Sequence, residues 1–148
     1  MTITMMMKLR DSGEPLPAAA ACLSPAADLS GSGKTPHGQG DPLLHPKAAK
    51  FFTTAYVADA DPRNPLISPV FGDWRGLPPL LVHAGGDEML RDDAVRIEEL
   101  ARAAGVQVRL EIYPRMWHVW QIFPALPEAH QSLDDIVQFL GSHLPRRE

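Results

Sequence analysis

Two side chains of this 148-residue sequence, Asp87 and His118, combine a reactive group with a position where α/β proteins usually carry out chemistry. Asp87 follows an apolar run that ends in Gly85-Gly86, and His118 follows an alternating run that Pro114 closes. A carboxylate fixes the tautomer of a neighbouring imidazole and stabilises its cation, while the imidazole takes a proton from a nucleophile. The two residues therefore indicate the acid and the base of nucleophilic catalysis, provided that the fold brings their turns together.

The elements that must position this pair lie in residues 79–148. A short apolar run over 80–84 predicts a buried strand, apolar residues at helical spacing predict a helix over about 91–104, and strict alternation over 106–113 predicts a second strand. A last helix is expected over about 128–143. Its predicted buried face consists of Leu133, Ile136, Val137, Leu140 and Leu144. Strand, helix, strand, helix implies parallel pairing, so the fold class is α/β and the two turns should be neighbours.

The rest of the chain contributes fewer regular elements. Good helix formers over residues 1–12 predict a helix. A short apolar run over 18–23, bounded by prolines, favours a strand buried on both faces, although periodicity does not exclude a helix. Residues 26–78 are rich in proline and glycine, so this segment is expected to be mostly loop, with one helix over about 47–57.

Composition and charge narrow the class of function. The net charge is −4, from 14 basic and 18 acidic residues scattered along the chain, so no basic stripe predicts binding to nucleic acid or to an anionic membrane. The single cysteine, Cys22, permits no internal disulfide, and no apolar run approaches the roughly 20 residues of a membrane span. We therefore expect one cytoplasmic α/β domain that does not bind nucleic acid and has no membrane span.

A phosphate-binding loop and a metal site are both disfavoured. The segment Gly31 to Thr35 contains a Gly-Lys-Thr run, but Asp28 stands where the phosphate-loop motif needs its first glycine, and Pro36 forbids the helix that must follow. The six histidines show no metal-ligand spacing such as His-Glu-x-x-His. The sequence predicts neither a cofactor nor a metal.

A structural interpretation of the two candidate residues is also open. Asp87 can cap the helix that follows it, and His118 can be a packed aromatic side chain between Trp117 and Trp120. Residue patterns alone favour this interpretation over catalysis.

Four stretches of the sequence are distinctive, and two of them surround the candidate residues. They are Leu-Pro-Pro-Leu-Leu-Val-His-Ala-Gly-Gly-Asp-Glu-Met-Leu-Arg-Asp-Asp-Ala, Tyr-Pro-Arg-Met-Trp-His-Val-Trp-Gln, Asp61-Pro62 with Asn64-Pro-Leu-Ile-Ser-Pro-Val70, and Leu23-Ser-Pro25 with Asp28-Leu-Ser-Gly31. Together they resemble the bacterial hormone-sensitive-lipase family of esterases over nearly the whole chain. The resemblance implies that Asp87 is the triad acid, that His118 is the base, and that the substrate is a small-molecule ester.

The chain departs from this family where the nucleophile is expected. The family carries its serine in a Gly-Asp-Ser-Ala-Gly-Gly elbow and its oxyanion donors on an earlier His-Gly-Gly loop, and this sequence contains neither. The resemblance implies that residues 1–148 form the C-terminal part of an α/β-hydrolase domain, mostly parallel sheet with flanking helices, beginning just after the elbow. Ser24 and Ser68 precede prolines and lack a glycine elbow, so neither is expected to replace the nucleophile, and Cys22 is expected in the core.

Two functions follow as expectations. The first is carboxylic ester hydrolysis by a Ser-Asp-His acyl-enzyme mechanism, with this chain inactive or weak on its own because it lacks the serine. The second is a non-catalytic remnant or interaction module that forms a homo-oligomer through the apolar edge of the strand over 18–23. Side chains that can face the former substrate cleft, with core packing equally open for each, are Leu43, Leu44, Phe51 and Trp117 or Trp120.

Overall fold

The computed structural model describes residues 1–33 and 41–144, which form four α-helices and three β-strands. In chain order the elements are α1 (Thr2–Asp11), β1 (Ala20–Leu23), α2 (Pro46–Val57), β2 (Leu80–Gly85), α3 (Arg91–Ala103), β3 (Val108–Tyr113) and α4 (Pro127–His143). Two short 3-10 helices lie at Pro69–Phe71 and Trp120–Ile122. These bounds confirm the predicted order of helices and strands. The last two residues of the Gly31 to Thr35 run belong to residues 34–40, which lie outside the described residues.

The three strands form one parallel sheet in the order β1, β2, β3. Leu80 pairs with Ala20 on one side and with Val108 on the other, so β2 is the central strand. Every residue of β2 is buried, which explains its continuous apolar sequence. The carboxyl ends of β2 and β3 therefore lie at the same edge of the sheet, as the α/β prediction required.

The main core lies on the face of the sheet that α1 and α3 cover. Alternate residues of β2 face this core, namely Leu80, Val82 and Ala84. They meet Ile3 and Met6 from α1. They also meet Ala94, Ile97 and Ala101, which recur along α3 at the spacing of one helical face. The apolar face of α3 thus packs against β2 and β3, and the turns after these two strands carry Asp87 and His118.

The last helix, α4, buries a different face from the one that the sequence predicts. Three side chains of the predicted face are exposed, namely Leu133, Val137 and Leu144. The side chains buried in their place are Ala129, Ser132 and Phe139. The rotation of the helix is fixed by a buried polar contact, because Ser132 Oγ lies 2.8 Å from His83 Nδ1 and accepts a hydrogen bond from Gln121 Nε2 at 3.1 Å.

The strand β3 also differs from the strict alternation of its sequence. Val108 and Leu110 pack against the main core, but all residues before Tyr113 are only half-buried. The polar face of β3 is partly covered by α4, since Arg109 of β3 lies 3.5 Å from the carboxylate of Asp135 in α4. No helix among residues 1–33 and 41–144 is long and apolar enough to span a membrane.

Candidate active site

The turn after β2 and the loop after β3 lie directly against each other. The backbone N–H of Gly86 donates to the carbonyl of Tyr113 at 2.8 Å, and that of Asp87 donates to the carbonyl of Met116 at 3.0 Å. A side chain at Gly85 would collide with the carbonyl oxygens of Met116 and Trp117. Only glycine permits this approach of two backbones, which gives the Gly-Gly pair a physical reason.

The loop that carries His118 is held in an unusual conformation. Arg115 and Val119, on either side of the histidine, have φ values of 62° and 45°, in the left-handed region that non-glycine residues rarely adopt. Such backbone conformations persist only where the surroundings enforce them. The loop is therefore positioned by contacts from outside itself, in addition to the bond from Asp87.

Asp41 supplies one of these contacts. Its Oδ2 accepts a hydrogen bond from the backbone N–H of His118 at 3.1 Å, and its Oδ1 accepts from the backbone N–H groups of Leu43 and Leu44 at 2.9 and 3.0 Å. The Asp41 side chain is almost fully buried, at 8 % exposure. A buried carboxylate that accepts three backbone hydrogen bonds is well satisfied and joins the segment before α2 to the histidine loop.

The imidazole of His118 is partly buried, and its Nδ1 is a buried atom that has no hydrogen-bond partner in the part of the chain that the structure describes. Burial lowers the pKa of His118 below its ordinary value, and the nearby negative charge of Asp41 opposes this shift only in part. The lowered pKa favours the neutral form of the ring. A neutral imidazole is the form that accepts a proton as a general base.

The Asp87 carboxylate is exposed and forms no hydrogen bond with His118 Nδ1. The structure thus brings together the two turns that the sequence predicts, through their backbones, but leaves the two side chains unpaired. Asp87 does not cap the following helix either, since α3 begins after Leu90 without a side-chain cap. Catalytic roles for Asp87 and His118 stay predictions.

The two tryptophans beside His118 have other aromatic partners. Trp120 is fully buried and stacks against Tyr113 with ring centroids 4.9 Å apart, while Trp117 meets Phe123 edge-on at 5.7 Å. The histidine ring has no place in either aromatic pair. The interpretation of His118 as an aromatic side chain packed between Trp117 and Trp120 therefore lacks the ring contacts that it requires.

An open cavity of about 350 Å³ lies beside the imidazole. His118 and Ser24 contribute polar groups to its wall, and most of the remaining lining is apolar. The apolar lining comes from α2 and from the segments around it, and includes Leu44, Phe52, Tyr56, Ile67 and Met89. A mostly apolar concavity with the imidazole of His118 and the ion-paired carboxylate of Asp28 at its wall suits a small ligand with a hydrocarbon part and one polar group.

The model of the α/β-hydrolase fold family matches residues 1–122 of this chain. The chain belongs to the α/β-hydrolase fold family. Over 143 residues it is 42 % identical to an acetyl-hydrolase of Streptomyces hygroscopicus, and over 146 residues it is 35 % identical to an esterase of Acinetobacter venetianus. These alignments cover 95 % and 96 % of this chain but 48 % of each relative.

Solved structures of hydrolases agree with this assignment. A crystal structure of an esterase from the bacterial hormone-sensitive lipase family is 41 % identical and superposes with a TM-score of 0.91 over 97 % of this chain and 49 % of that one. A hormone-sensitive lipase from a metagenome library is 36 % identical, with a TM-score of 0.92 over 96 % of this chain and 50 % of its own. The chain spans about half the length of these relatives, and it corresponds to their C-terminal part. The resemblance stated from sequence is confirmed.

The lining of the cavity differs from the expected set. Leu44, for which core packing was equally open, lines it, but Leu43 does not. On α2 the lining side chain is Phe52, while Phe51 lies 68 % exposed away from the cavity. Trp117 and Trp120 do not line it. Apolar residues next to each other on a helix point in different directions, and sequence alone did not give the rotation of α2.

Neither Cys22 nor Ser68 offers a nucleophile to the candidate site. Cys22 is buried in β1, as predicted, and burial raises the pKa of its thiol to about 11, so the thiol stays protonated at neutral pH. Ser68 is fully buried, and its hydroxyl accepts a hydrogen bond from the backbone N–H of Leu29 at 2.8 Å.

Sequence reasoning missed two buried residues, Asp41, which bonds to the histidine loop directly, and Glu88, which is linked to that loop through Ser24. Glu88 is fully buried one residue after Asp87, and its Oε2 accepts a hydrogen bond from Ser24 Oγ at 2.6 Å. A glutamate in a turn is normally exposed, so no periodicity or motif in the sequence signals this one. For Asp41, the only available signal is its place before Leu43 and Leu44, where aspartate often accepts hydrogen bonds from the following backbone N–H groups.

Proposed function

We propose that the protein to which this chain corresponds hydrolyses carboxylic esters of small molecules by an acyl-enzyme mechanism. In this reaction a serine attacks the ester carbonyl, His118 takes the serine proton and passes it to the leaving alcohol, and Asp87 orients the imidazole. Water then releases the acid by the same base catalysis. The observation that carries the proposal is the imidazole of His118 at the wall of a mostly apolar cavity, beside the turn that bears Asp87.

The unpaired state of His118 Nδ1 is compatible with this role for Asp87. The backbone N–H of Asp87 is fixed by Met116, but its exposed carboxylate can rotate about the Cα–Cβ bond without breaking that bond. A buried ring nitrogen without a partner costs free energy, so a carboxylate that pairs with it is favoured. The names of the relatives, acetyl-hydrolase and esterase, support an ester with a small acyl group.

This chain contains no Gly-Asp-Ser-Ala-Gly-Gly elbow, and we propose that it is inactive or very weak alone. The test compares the chain with a fused protein, in which Met1 is joined to the part of the Streptomyces hygroscopicus acetyl-hydrolase that precedes the matched region. We expect hydrolysis of p-nitrophenyl acetate by the fused protein and none above background by the chain. A folded fused protein without activity would count against the ester hydrolase. Ordinary enzyme rates from the chain alone, lost in His118→Ala, would disprove its inactivity.

A second candidate is self-association through the edge of the sheet. The backbone N–H groups of Ala20 and Ser24 donate to the carbonyls of Pro79 and His83, on the side of β1 that faces β2. The N–H groups of Ala21 and of the exposed Leu23 therefore face the opposite, open edge of β1. Unpaired strand edges with apolar side chains pair readily with another chain.

Sedimentation velocity over a concentration series tests this candidate. We expect a homodimer. Leu23→Lys should dissociate it, because the substitution places a charge at the strand edge. Leu66→Lys, at a comparably exposed leucine outside the strands, serves as the matched control and should leave the dimer intact. A monomer at the highest concentration would exclude the candidate.

A further inference from the structure

A carboxylate lies at the wall of the mostly apolar cavity beside His118. It belongs to Asp28, which lies in the segment after β1, lines the cavity and is fully buried. Removal of an ionised carboxylate from water is costly unless the group is paired and hydrogen-bonded. The charge of Asp28 therefore depends on the groups that surround it.

These surrounding groups hold Asp28 in the ionised form. Its Oδ1 accepts hydrogen bonds from the backbone N–H and the hydroxyl of Ser30 at 2.9 and 2.6 Å, and its Oδ2 accepts from the hydroxyl of Ser32 at 2.7 Å. The guanidinium of Arg96, on α3, forms an ion pair with the same Oδ2. Burial alone would raise the pKa of Asp28, but these bonds hold it well below its usual range. Asp28 therefore carries a negative charge at neutral pH.

A second buried carboxylate fixes the segment of Asp28 to α3. The Oδ2 of Asp93 accepts hydrogen bonds from the backbone N–H groups of Ala27 and Asp28 at 2.8 and 3.0 Å. Asp93 and Arg96 are neighbours on the surface of α3, so one helix holds the segment through its backbone and through the side chain of Asp28. The position of the Asp28 carboxylate at the cavity wall is therefore well defined.

The ion pair of Asp28 and Arg96 has a direction relative to the cavity. Asp28 lines the cavity, whereas Arg96 does not. The side chain of Arg96 is instead 28 % exposed, so water screens its charge more than that of the fully buried partner. The negative end of the pair is thus the nearer one to the ligand space. A charged group in the cavity therefore meets a negative potential.

We propose that Asp28 is a specificity-determining residue of the cavity, which favours ligands with a cationic group over those with an anionic group. The inference deepens the proposed function and rests on it, because it takes the cavity as the site of the ester substrate. The reacting group of an ester is neutral, whereas the acid that hydrolysis releases is an anion at neutral pH. A negative potential at the wall therefore disfavours retention of the product as well as binding of anionic esters.

A purely structural role for the ion pair predicts a different result. In that case removal of the Asp28 charge lowers stability but changes the affinities for cationic and anionic ligands by the same factor. The apolar lining disfavours ligand charges of both signs, because each charged group must leave water. The ratio of the two affinities therefore reports the sign of the potential in the cavity.

Nuclear magnetic resonance titration of the isotope-labelled 148-residue protein tests the proposal without any need for activity. The probes are 4-phenylbutylammonium and 4-phenylbutanoate, which share a phenyl ring and an alkyl chain but carry opposite charges. Met1 is N-acetylated, because this residue also lines the cavity and its α-amino charge would disturb the comparison. We expect shifts at the backbone amides of Leu29 and Leu44 in the cavity wall, and a Kd at least about fivefold lower for the ammonium than for the carboxylate.

Two variants of the ion pair should move the ratio of the Kd values in opposite directions. Asp28→Asn keeps the shape of the side chain without its charge, so the preference for the ammonium should disappear or reverse. Arg96→Gln removes the opposing positive charge, so the preference should grow while the remaining hydrogen bonds keep Asp28 ionised. Asp73→Asn, in the exposed ion pair with Arg75 outside the cavity, is the matched control and should leave the ratio unchanged.

The proposal is overturned if the parent protein binds neither probe, binds both equally or prefers the carboxylate, and also if Asp28→Asn keeps the ratio of the parent. Should Asp28→Asn fail to fold, Arg96→Gln decides, and a preference that does not grow in this variant overturns the proposal equally. An inactive fused protein would refute the ester hydrolase alone, because the affinities of the two probes do not depend on turnover.

Discussion

The backbone N–H of His118 donates a hydrogen bond to Oδ2 of Asp41 across 3.1 Å, although the two residues are 77 positions apart in the chain. The other oxygen of the same carboxylate holds the backbone just before α2. The candidate base and the helix that forms much of the cavity wall are therefore fixed to one buried side chain. The position of the cavity relative to the imidazole depends on this carboxylate.

Replacement of Asp41 should destabilise the protein in proportion to the acceptors that are lost. Asp41→Ala leaves three backbone N–H groups without their partner and should cost about 2–3 kcal/mol of unfolding free energy. Asp41→Asn keeps one acceptor oxygen and should cost less. Urea denaturation measures both, with Asp59→Ala, at an exposed aspartate just beyond α2, as the control within about 0.5 kcal/mol of the parent. Equal losses in Ala and Asn variants would contradict this account.

Addition of a methyl group at Gly85 should separate the two turns of the site. Gly85→Ala drives a Cβ into the carbonyl oxygens of Met116 and Trp117, and we expect a loss of at least about 2 kcal/mol in urea denaturation. Gly141→Ala, in α4 with open space around it, should instead stabilise the protein by about 0.5–1 kcal/mol through helix propensity. If Gly85→Ala is neutral, the two backbones are not in the close contact described.

The order of the elements could be predicted because the buried positions of β2 and α3 are mostly apolar. Continuous apolar residues in β2 and helical spacing in α3 leave little choice of structure. The face of α4 was predicted wrongly because two faces of that helix are partly apolar. The choice between them depends on the contact of Ser132 with His83, which is a tertiary contact between elements far apart in the chain.

The candidate site was predictable only where a recognisable stretch of sequence carries it. Asp87 and His118 follow strands that pair in the sheet, and topology alone brings their turns together. The contacts of Asp41, Ser24 and Glu88 join segments that no local pattern relates, and a buried carboxyl group looks like a surface residue in the sequence. These residues become visible only when the hydrogen bonds of Asp41 and Ser24 to the histidine loop, and that of Ser24 to Glu88, are seen.

The pH dependence of stability should change when Glu88 is replaced. Because folding raises the pKa of Glu88 from 4.5 to about 7, its stabilisation is complete below pH 4.5 and is lost as pH rises through 7. Glu88→Gln removes this loss, so its unfolding free energy relative to the parent should rise by about 2 kcal/mol between pH 5 and pH 8.

His83 provides a check on that comparison. Burial lowers the pKa of His83 to about 4, so its contribution to stability is lost as pH falls from 6.5 through 4, in the opposite direction to that of Glu88. Both proteins contain His83, and its contribution cancels in their difference. Parallel stability curves for the parent and Glu88→Gln, measured by urea denaturation at each pH, would show that Glu88 does not titrate as described.

The most direct test of the proposed chemistry is kcat/KM for p-nitrophenyl acetate in the fused protein described above. Removal of the base in His118→Ala should lower kcat/KM by at least about 10³-fold, and Asp87→Asn should cause a comparable loss. His130→Ala, at an exposed histidine near the start of α4, should stay within about twofold of the parent. If His118→Ala retains the activity of His130→Ala, His118 is not the base and the account of the site is wrong.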